Sequence, residues 1–146
     1  MKIKSASLIE TRRAVRAALQ RGVGNKKGNG AVVFALSGPL GAGKTTFVKI
    51  AARELKARGK VKSPTFVLIR KHIIPRSGRV VIHIDAYRIE KESEFVKIGF
   101  RDIVKDDRNI VFVEWPEKIK KLIPKNAVKI TFAYGPAKNE RIINIK

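Results

Sequence analysis

Eight consecutive residues carry the clearest chemical signal in this chain: Gly38-Pro39-Leu40-Gly41-Ala42-Gly43-Lys44-Thr45, a G-x-x-x-x-G-K-T motif. The motif follows the apolar run Ala31–Leu36 and opens a segment with helical spacing, which is the strand–loop–helix context of a P-loop. Its glycines let backbone N–H groups face an anion, and the start of the helix adds partial positive charge. Lys44 can reach the β- and γ-phosphates, and the Thr45 hydroxyl can ligate Mg²⁺. We therefore predict a nucleoside-triphosphate site; the alternative is a glycine turn beside a surface lysine.

Two acidic residues follow apolar runs that read as buried strands. Asp85 ends the run Val80–Ile84, and Glu114 ends the run Ile110–Val113. Ligands of open α/β sheets bind at the carboxyl ends of the strands, so both carboxylates are expected beside the P-loop. One can hold the metal, directly or through water, while the other orients or deprotonates an attacking water. The alternative for each acid is a cap on the end of its strand.

The remaining chemically active residue types are few. The chain has no cysteine, which excludes disulfides, zinc–thiolate sites and thiol catalysis. Its two histidines, His72 and His83, lack metal-ligand spacing, and His83 is predicted to be a packed strand residue. The single tryptophan, Trp115, is expected in the core, the alternative being a recognition surface beside Glu114.

Composition narrows the class of protein. The 146 residues are expected to form one domain, and with 33 basic and 12 acidic residues the formal charge is +21. This charge indicates either a polyanionic partner such as RNA or a solvated, lysine-rich surface. Nine of the 12 acids lie between Asp85 and Glu117, which suggests a partner-facing or metal-facing segment or, alternatively, ordinary surface loops. No run is long enough to span a membrane and no secretory signal is evident, so we expect a cytoplasmic protein without membrane contact.

The patterning predicts the order of the elements. A capping box at Ser7–Glu10 opens a helix to about Gln20, and a glycine-rich basic loop follows over residues 21–30. Further helices are expected over Lys44–Arg58, with Gly59 as its C-cap, and over Glu92–Lys97. The predicted strands are Ala31–Leu36, Thr65–Lys71, Arg79–Ile84, Asn109–Val113, Ala127–Tyr134 and Arg141–Ile145.

These elements predict an α/β fold, a P-loop NTPase-like three-layer sandwich. Its central sheet should be mostly parallel, because the runs at Ala31–Leu36 and Asn109–Val113 are continuously apolar and so read as buried on both faces. The two late strands are expected to be antiparallel, and the strands on either side of the turn at Pro75–Gly78 to pair as a hairpin.

Four motifs in this order resemble the TsaE (YjeE) family. They are the P-loop with Thr46-Phe47, then Ser63-Pro64-Thr65-Phe66, His83-Ile84-Asp85-Ala86-Tyr87-Arg88 and Glu114-Trp115-Pro116-Glu117. The resemblance extends over nearly the whole chain. It implies a compact ATPase that binds ATP and Mg²⁺ and acts with TsaB and TsaD. Those partners form threonylcarbamoyladenosine next to the tRNA anticodon, and the ATPase resets or regulates their complex.

The resemblance also implies roles for individual residues. Nucleotide binding would fall to Gly38, Leu40, Gly41, Ala42, Gly43, Lys44, Thr45 and Thr46. Thr65 would belong to a switch-like loop near the γ-phosphate, Trp115 would lie beside the site, and Thr11 would lie near the nucleoside. Asp85 and Glu114 would be the catalytic acids, Asp85 for hydrolysis and Glu114 on the metal side, so that Thr45, Glu114 and Asp85 together face Mg²⁺.

Two departures from the family pattern leave alternatives open. Pro39 stands where the family usually has an acid, and a charge of +21 is high for the family, which favours direct contact with tRNA.

A small P-loop kinase is one alternative function, although no lid segment is evident. A basic ATP-dependent nucleic-acid-binding module is another. We expect slow intrinsic hydrolysis of ATP, because the sequence does not identify an arginine that would stabilise the transferring phosphoryl group.

Overall fold

The computed structural model describes residues 1–26, 28–59 and 69–146 of the chain. In order, these residues form β1 (Lys2–Ser5), α1 (Leu8–Leu19), a π-helical turn (Gln20–Gly24), β2 (Val32–Ser37), α2 (Lys44–Glu54), β3 (Ile69–Ile74), β4 (Arg79–Asp85), α3 (Glu92–Lys97), α4 (Phe100–Lys105), β5 (Asn109–Glu114), a 3₁₀ turn (Pro116–Ile119), β6 (Val128–Tyr134) and β7 (Arg141–Ile145).

The strands form one sheet in the order β1-β7-β6-β2-β5-β4-β3. The four central strands β6, β2, β5 and β4 are parallel, while β1, β7 and β3 pair antiparallel at the two edges. The predicted fold class is therefore confirmed, including the antiparallel late strands and the hairpin of β3 and β4. The parallel strands end at one edge of the sheet, and both Asp85 and Glu114 are the last residues of their strands.

Apolar side chains cover both faces of the sheet. Strand β2 is central, and its alternate residues divide between two clusters: Phe34 packs with Val15 and Phe47 of α1 and α2, and Val33 packs with Phe95 and Phe100 of α3 and α4. Residues buried on both faces explain the continuous apolar run of β2, because neither face of this strand meets water. The result is the predicted arrangement of helices on both sides of a sheet.

The start of α1 follows its sequence pattern. The Ser7 side chain accepts a hydrogen bond from the Glu10 N–H at 3.2 Å, and the Glu10 carboxylate accepts one from the Ala6 N–H at 2.6 Å. The Ser7 bond is one half of the predicted capping box, whereas Glu10 reaches back to the N–H of Ala6, the residue before the N-cap, rather than to that of Ser7 itself. The Ala6 N–H, with the Ser7 hydroxyl, lowers the pKa of Glu10 below its ordinary value.

Helix α2 ends earlier than predicted, at Glu54 rather than Arg58. Lys56 adopts the left-handed conformation with φ 58°, the Ala57 N–H bonds the Ala52 carbonyl at 2.9 Å, and the Lys56 N–H bonds the Arg53 carbonyl at 3.0 Å. These are the two bonds of a Schellman motif, which terminates a helix. Gly59 was the expected cap, but a lysine takes that conformation three residues earlier, so the prediction was wrong here.

Several elements differ from the predicted pattern. β1, α4 and the 3₁₀ turn were not predicted, and β1 forms because its backbone pairs with β7. β3 runs to Ile74, beyond the predicted end at Lys71, and positions 65–68 of that predicted strand lie outside the described residues. Among the described residues, no helix is both long and apolar enough to cross a membrane.

Helix α1 continues into a π-helical turn where a loop was predicted. Gly22 allows this, because a Cβ atom at that position would lie 2.6 Å from the Phe34 ring, which is fully buried. The turn can therefore pack directly against β2 only if residue 22 has no side chain.

Replacement of Gly22 by alanine should lower the free energy of unfolding by about 1–3 kcal/mol, because the added methyl group overpacks a rigid part of the core. Gly24→Ala in the same turn is the matched control: its Cβ would meet only the side chain of Gln20, which is exposed and can move. Urea unfolding of the three proteins measures the difference. Equal midpoints for both variants would contradict this account of the turn.

Candidate nucleotide-binding site

The P-loop connects the end of β2 to the start of α2, at the edge where the parallel strands end. Gly38 has φ 146°, and a Cβ atom there would lie 2.5 Å from the Phe132 carbonyl oxygen of β6. Gly43 has φ 98° and is the N-cap of α2. Both positions thus require glycine, one for close approach to a neighbouring strand and one for the left-handed turn into the helix. The helix of 11 residues that follows presents its N-terminal N–H groups to the loop.

Lys44 is held against the loop by its own ammonium group. Its Nζ donates hydrogen bonds to the carbonyls of Gly38 at 2.7 Å and Pro39 at 2.8 Å and lies 4.3 Å from the centre of the Trp115 ring. The side chain is almost fully buried. Burial lowers the pKa of Lys44 below its ordinary value, while the carboxylates of Glu114, Glu117 and Asp85 act in the opposite direction. The loop therefore contains a cation whose present partners are neutral carbonyls and an aromatic face.

The two strand-end acids meet at the edge of the sheet, as predicted. Asp85 of β4 and Glu114 of β5 are direct partners in the parallel register. The Thr45 hydroxyl lies 2.9 Å and 3.1 Å from the two oxygens of Glu114 and donates to that carboxylate. Glu114 is 3% exposed, so the partners of its carboxylate must be protein groups or a bound ion rather than bulk water.

Asp85 has a different environment from Glu114. Its Oδ1 accepts a hydrogen bond from the Tyr87 N–H at 2.9 Å. Burial raises the pKa of Asp85 above its ordinary value, the negative charge of Glu114 adds to the rise, and the Tyr87 N–H, His83 and Lys44 oppose it. A carboxylate destabilised in this way accepts a proton more readily than an exposed aspartate does.

Trp115 is half-buried, so neither a core position nor a free recognition surface describes it fully. Its backbone is left-handed (φ 59°, ψ 50°), which is uncommon for a bulky residue. The centre of the Trp115 ring lies 5.0 Å from that of the Tyr87 ring. The backbone N–H of Trp115 donates a hydrogen bond to the Leu36 carbonyl at 3.2 Å. This conformation turns the indole toward Lys44 and away from the path of β5.

Two cavities lie on either side of the P-loop. One, of about 270 Å³, is lined by Lys44, Thr45, Asp85, Glu114 and Trp115, with Tyr87 and other loop residues. The second, of about 310 Å³, lies between the loop and the β1–α1 connection, where Thr11 lines it with Arg141 of β7. Gly41, Gly43 and Thr46 line both cavities, so the two adjoin along the loop.

The structure thus gathers most of the predicted site residues. Those in the first cavity are Leu40, Gly41, Gly43, Lys44, Thr45, Thr46, Asp85, Glu114 and Trp115. Ala42 and Thr11 line the second cavity, and Gly38 lies behind the loop against β6. Thr65 and the rest of its predicted switch-like loop lie outside the described residues.

Sequence reasoning missed three contributors. His83 is a fully buried residue of β4, which confirms the predicted packed strand residue, but its contact with Glu114, with Nε2 2.7 Å from Oε1, was not predicted. His83 comes two residues before Asp85, and side chains alternate between the two faces of a strand, so the sequence already indicated that both lie on one face of β4. Tyr134 donates to the Leu40 carbonyl, and Arg141 lies 4.9 Å from the Tyr134 ring; nothing in the sequence signals either contact.

The donor set suits a hard cation. It consists of two carboxylates and a hydroxyl, and within the described ranges no three His, Cys, Asp or Glu side chains converge as a complete metal cage. Mg²⁺ is usually held by one or two carboxylates together with waters and phosphate oxygens rather than by protein groups alone. The residues present therefore fit Mg²⁺ that arrives with a phosphate ligand.

Comparison with known proteins gives one consistent result. The model of the family described as threonylcarbamoyl adenosine biosynthesis protein TsaE matches residues 8–143. A Haemophilus influenzae protein named tRNA threonylcarbamoyladenosine biosynthesis protein TsaE is 33% identical over 114 residues, covering 77% of this chain and 70% of that protein. The protein of the same name from Streptomyces coelicolor is 40% identical over 88 residues, covering 60% of this chain and 59% of that protein.

The fold also has a solved counterpart. The crystal structure of Bacillus subtilis YdiB matches with a TM-score of 0.72 at 25% identity, covering 99% of this chain and 83% of that one. The region similar to the Streptomyces coelicolor protein spans less than two thirds of that relative.

The raised pKa of Asp85 predicts a pH-dependent effect of its removal. A carboxyl group whose pKa is higher in the folded state lowers stability as pH rises from the ordinary aspartate range through the raised value. Asp85→Asn should therefore be more stable than the wild type at pH 7 without added metal, and the gain should shrink as pH falls toward 4. Urea unfolding across that range measures it, with Asp107→Asn on the exposed surface as the control for loss of one charge. A gain independent of pH would contradict the assignment.

Proposed function

The chain belongs to the TsaE family of threonylcarbamoyl adenosine biosynthesis proteins, and we propose that it binds and slowly hydrolyses ATP with Mg²⁺ in support of that tRNA modification. One observation carries the proposal: the P-loop residues Lys44 and Thr45 share a single cavity with the paired strand-end acids Asp85 and Glu114. The family takes part in threonylcarbamoyladenosine biosynthesis. ATP binding, hydrolysis and the roles of individual residues in this chain are the proposed parts.

The phosphates of ATP are proposed to bind the first cavity. Lys44 would exchange the carbonyls of Gly38 and Pro39 for phosphate oxygens, which are stronger partners because they are charged. The N–H groups at the start of α2 add favourable partial charge. Pro39 supplies no N–H to this cradle, but its own carbonyl faces inward to Lys44, so the loop keeps its shape around the cation.

The nucleoside is proposed to occupy the second cavity. Thr11 lies there, with its hydroxyl 2.7 Å from that of Ser5 and 3.0 Å from the Ser7 carbonyl, so its position is fixed by the β1–α1 connection. The two cavities meet at Gly41, Gly43 and Thr46. A nucleotide can therefore extend around the loop with its charged end toward Asp85 and Glu114.

Thr45, Glu114 and Asp85 are the residues proposed to hold Mg²⁺. The Thr45 hydroxyl donates a hydrogen bond to Glu114, which leaves the lone pairs of the hydroxyl oxygen available for a cation. The bound ion would supply charge stabilisation to the phosphate oxygens. Asp85, whose pKa is raised by burial, is proposed to orient the attacking water and accept its proton.

Hydrolysis by the chain alone is proposed to be slow. Of the residues that the structure describes, no arginine lines the cavity of Lys44 and Glu114, so a positive charge for the transferring phosphoryl group is missing from that wall. An arginine supplied by a partner is a common remedy in P-loop proteins. TsaD-like and TsaB-like proteins, in the cytoplasm where tRNA is modified, are the proposed partners.

Direct contact with tRNA is a second candidate property, favoured by the net charge of +21. Phosphate contacts release counterions, so affinity for tRNA should fall steeply with salt if this contact exists. The small-kinase alternative has less support, because two acids rather than an acceptor pocket face the P-loop.

Lys44→Ala should weaken ATP binding at least tenfold, since it removes the cation of the phosphate site. Asp85→Ala should leave binding within about threefold but slow hydrolysis by about 10²–10⁴, the usual range for loss of a general base. Lys49→Ala is the matched control, because Lys49 is an exposed lysine on the same helix. Calorimetric titration and phosphate release measure the two effects, and the opposite pattern would reverse the assigned roles.

Cells depleted of this protein should lose threonylcarbamoyladenosine from their tRNA. Mass spectrometry of tRNA nucleosides measures the loss. The wild-type gene and Lys49→Ala should restore the modified nucleoside, whereas Lys44→Ala should not. Normal levels in depleted cells would contradict the proposed pathway, and rescue by Lys44→Ala would show that nucleotide binding is dispensable.

A further inference from the structure

His83 lies within the sheet on β4, the strand between β5 and the edge strand β3. It is fully buried, on β4, two residues before Asp85. Its register partner on β5 is Phe112, two residues before Glu114. The side chain is not among those that line either cavity beside the P-loop. Any effect of His83 on a nucleotide or metal must therefore pass through another residue.

That residue is Glu114. His83 Nε2 lies 2.7 Å from Oε1 of Glu114, the same oxygen that accepts from the Thr45 hydroxyl at 2.9 Å. The second oxygen, Oε2, has Thr45 as a partner at 3.1 Å. Hydrogen bonds thus join the interior of β4 to the end of β5 and the first turn of α2.

The imidazole has Glu114 as its partner among the described residues. A carboxylate accepts only, so His83 donates to Glu114 through Nε2. The other nitrogen, Nδ1, is buried without a partner among the described residues. The contact with Glu114 is therefore the interaction through which the ring acts.

We propose that His83 is a positioning residue, which holds the Glu114 carboxylate in the orientation that aligns the Thr45 hydroxyl for Mg²⁺. This inference rests on the proposed function. Glutamate has several rotatable bonds, and in this site one of its oxygens is fixed by a donor from a neighbouring strand. With that oxygen fixed, the carboxylate keeps the proton of Thr45 turned inward and the lone pairs of the hydroxyl turned toward the cavity. Donors of this kind behind a metal site commonly change metal affinity by about 10–100-fold when they are removed.

The test compares ADP binding with and without Mg²⁺ by following the fluorescence of Trp115, the single tryptophan of the chain. His83→Leu removes the donor, and His83→Gln keeps an amide donor of similar reach. The Leu variant should lose about tenfold or more of the Mg²⁺-dependent gain in affinity while binding ADP in EDTA like the wild type. The Gln variant should retain the gain within about threefold. His72→Leu, on the neighbouring strand β3, is the control.

A second comparison separates positioning from general stability. If His83 acts through Glu114, then His83→Leu should cause no further loss of Mg²⁺ dependence in a Glu114→Gln background. The effects of substitutions at two contacting residues do not add when one residue acts through the other. An unchanged Mg²⁺ dependence in His83→Leu would overturn the inference. The inference would also be overturned if His83→Leu lost the same ADP affinity with and without Mg²⁺ and had a lower unfolding midpoint, because the loss would then reflect general stability. Failure of the wild type to bind ATP, measured in the same way, would instead refute the proposed function itself.

Discussion

The hydrogen bond from the Thr45 hydroxyl to the Glu114 carboxylate joins the two halves of the site. Thr45 lies in the first turn of α2, directly after the P-loop, and Glu114 lies at the end of β5, the strand beside β2. Glu114 is buried and Thr45 is partly buried, so each satisfies a polar group of the other that has little access to water. The P-loop, the parallel register and the burial of the sheet all serve to bring these two side chains together.

The parallel pairing of β4, β2 and β5 makes this contact possible. β5 lies between the other two strands, so Glu114 is beside both Leu36 at the entry to the P-loop and Asp85 at the end of β4. A register shift of one residue would turn Glu114 to the opposite face of the sheet. Close packing on both faces resists such a shift, with Phe34 and Phe112 stacked at 4.7 Å on one side and Val111 and Val113 buried on the other. The core therefore fixes the chemistry as well as the fold.

The site brings a buried cation together with two buried acids. Lys44 is buried against carbonyl oxygens and an indole face, and the same burial that lowers its pKa raises that of Asp85. A phosphate with a divalent ion would add charge of both signs to this small volume. His83 adds a further contact, because its Nε2 lies 2.7 Å from one oxygen of Glu114 inside the sheet. Strain is also visible here, since Trp115 adopts a left-handed backbone beside the cavity.

Local patterns in the sequence were enough to predict the P-loop, the helix cap at Ser7, the α/β class and the two strand-end acids, because each depends on a few neighbouring residues and on alternation along a strand. They did not predict β1 or the Schellman end of α2 at Lys56, which depend on pairing with β7 and on hydrogen bonds of the backbone. The link from His83 to Glu114 spans 31 positions, and the contact of Tyr134 with the Leu40 carbonyl spans 94. The sequence by itself thus determined which groups are available for chemistry. Only the tertiary structure decided which of them touch, because the order and register of the strands set distances between residues far apart in the chain.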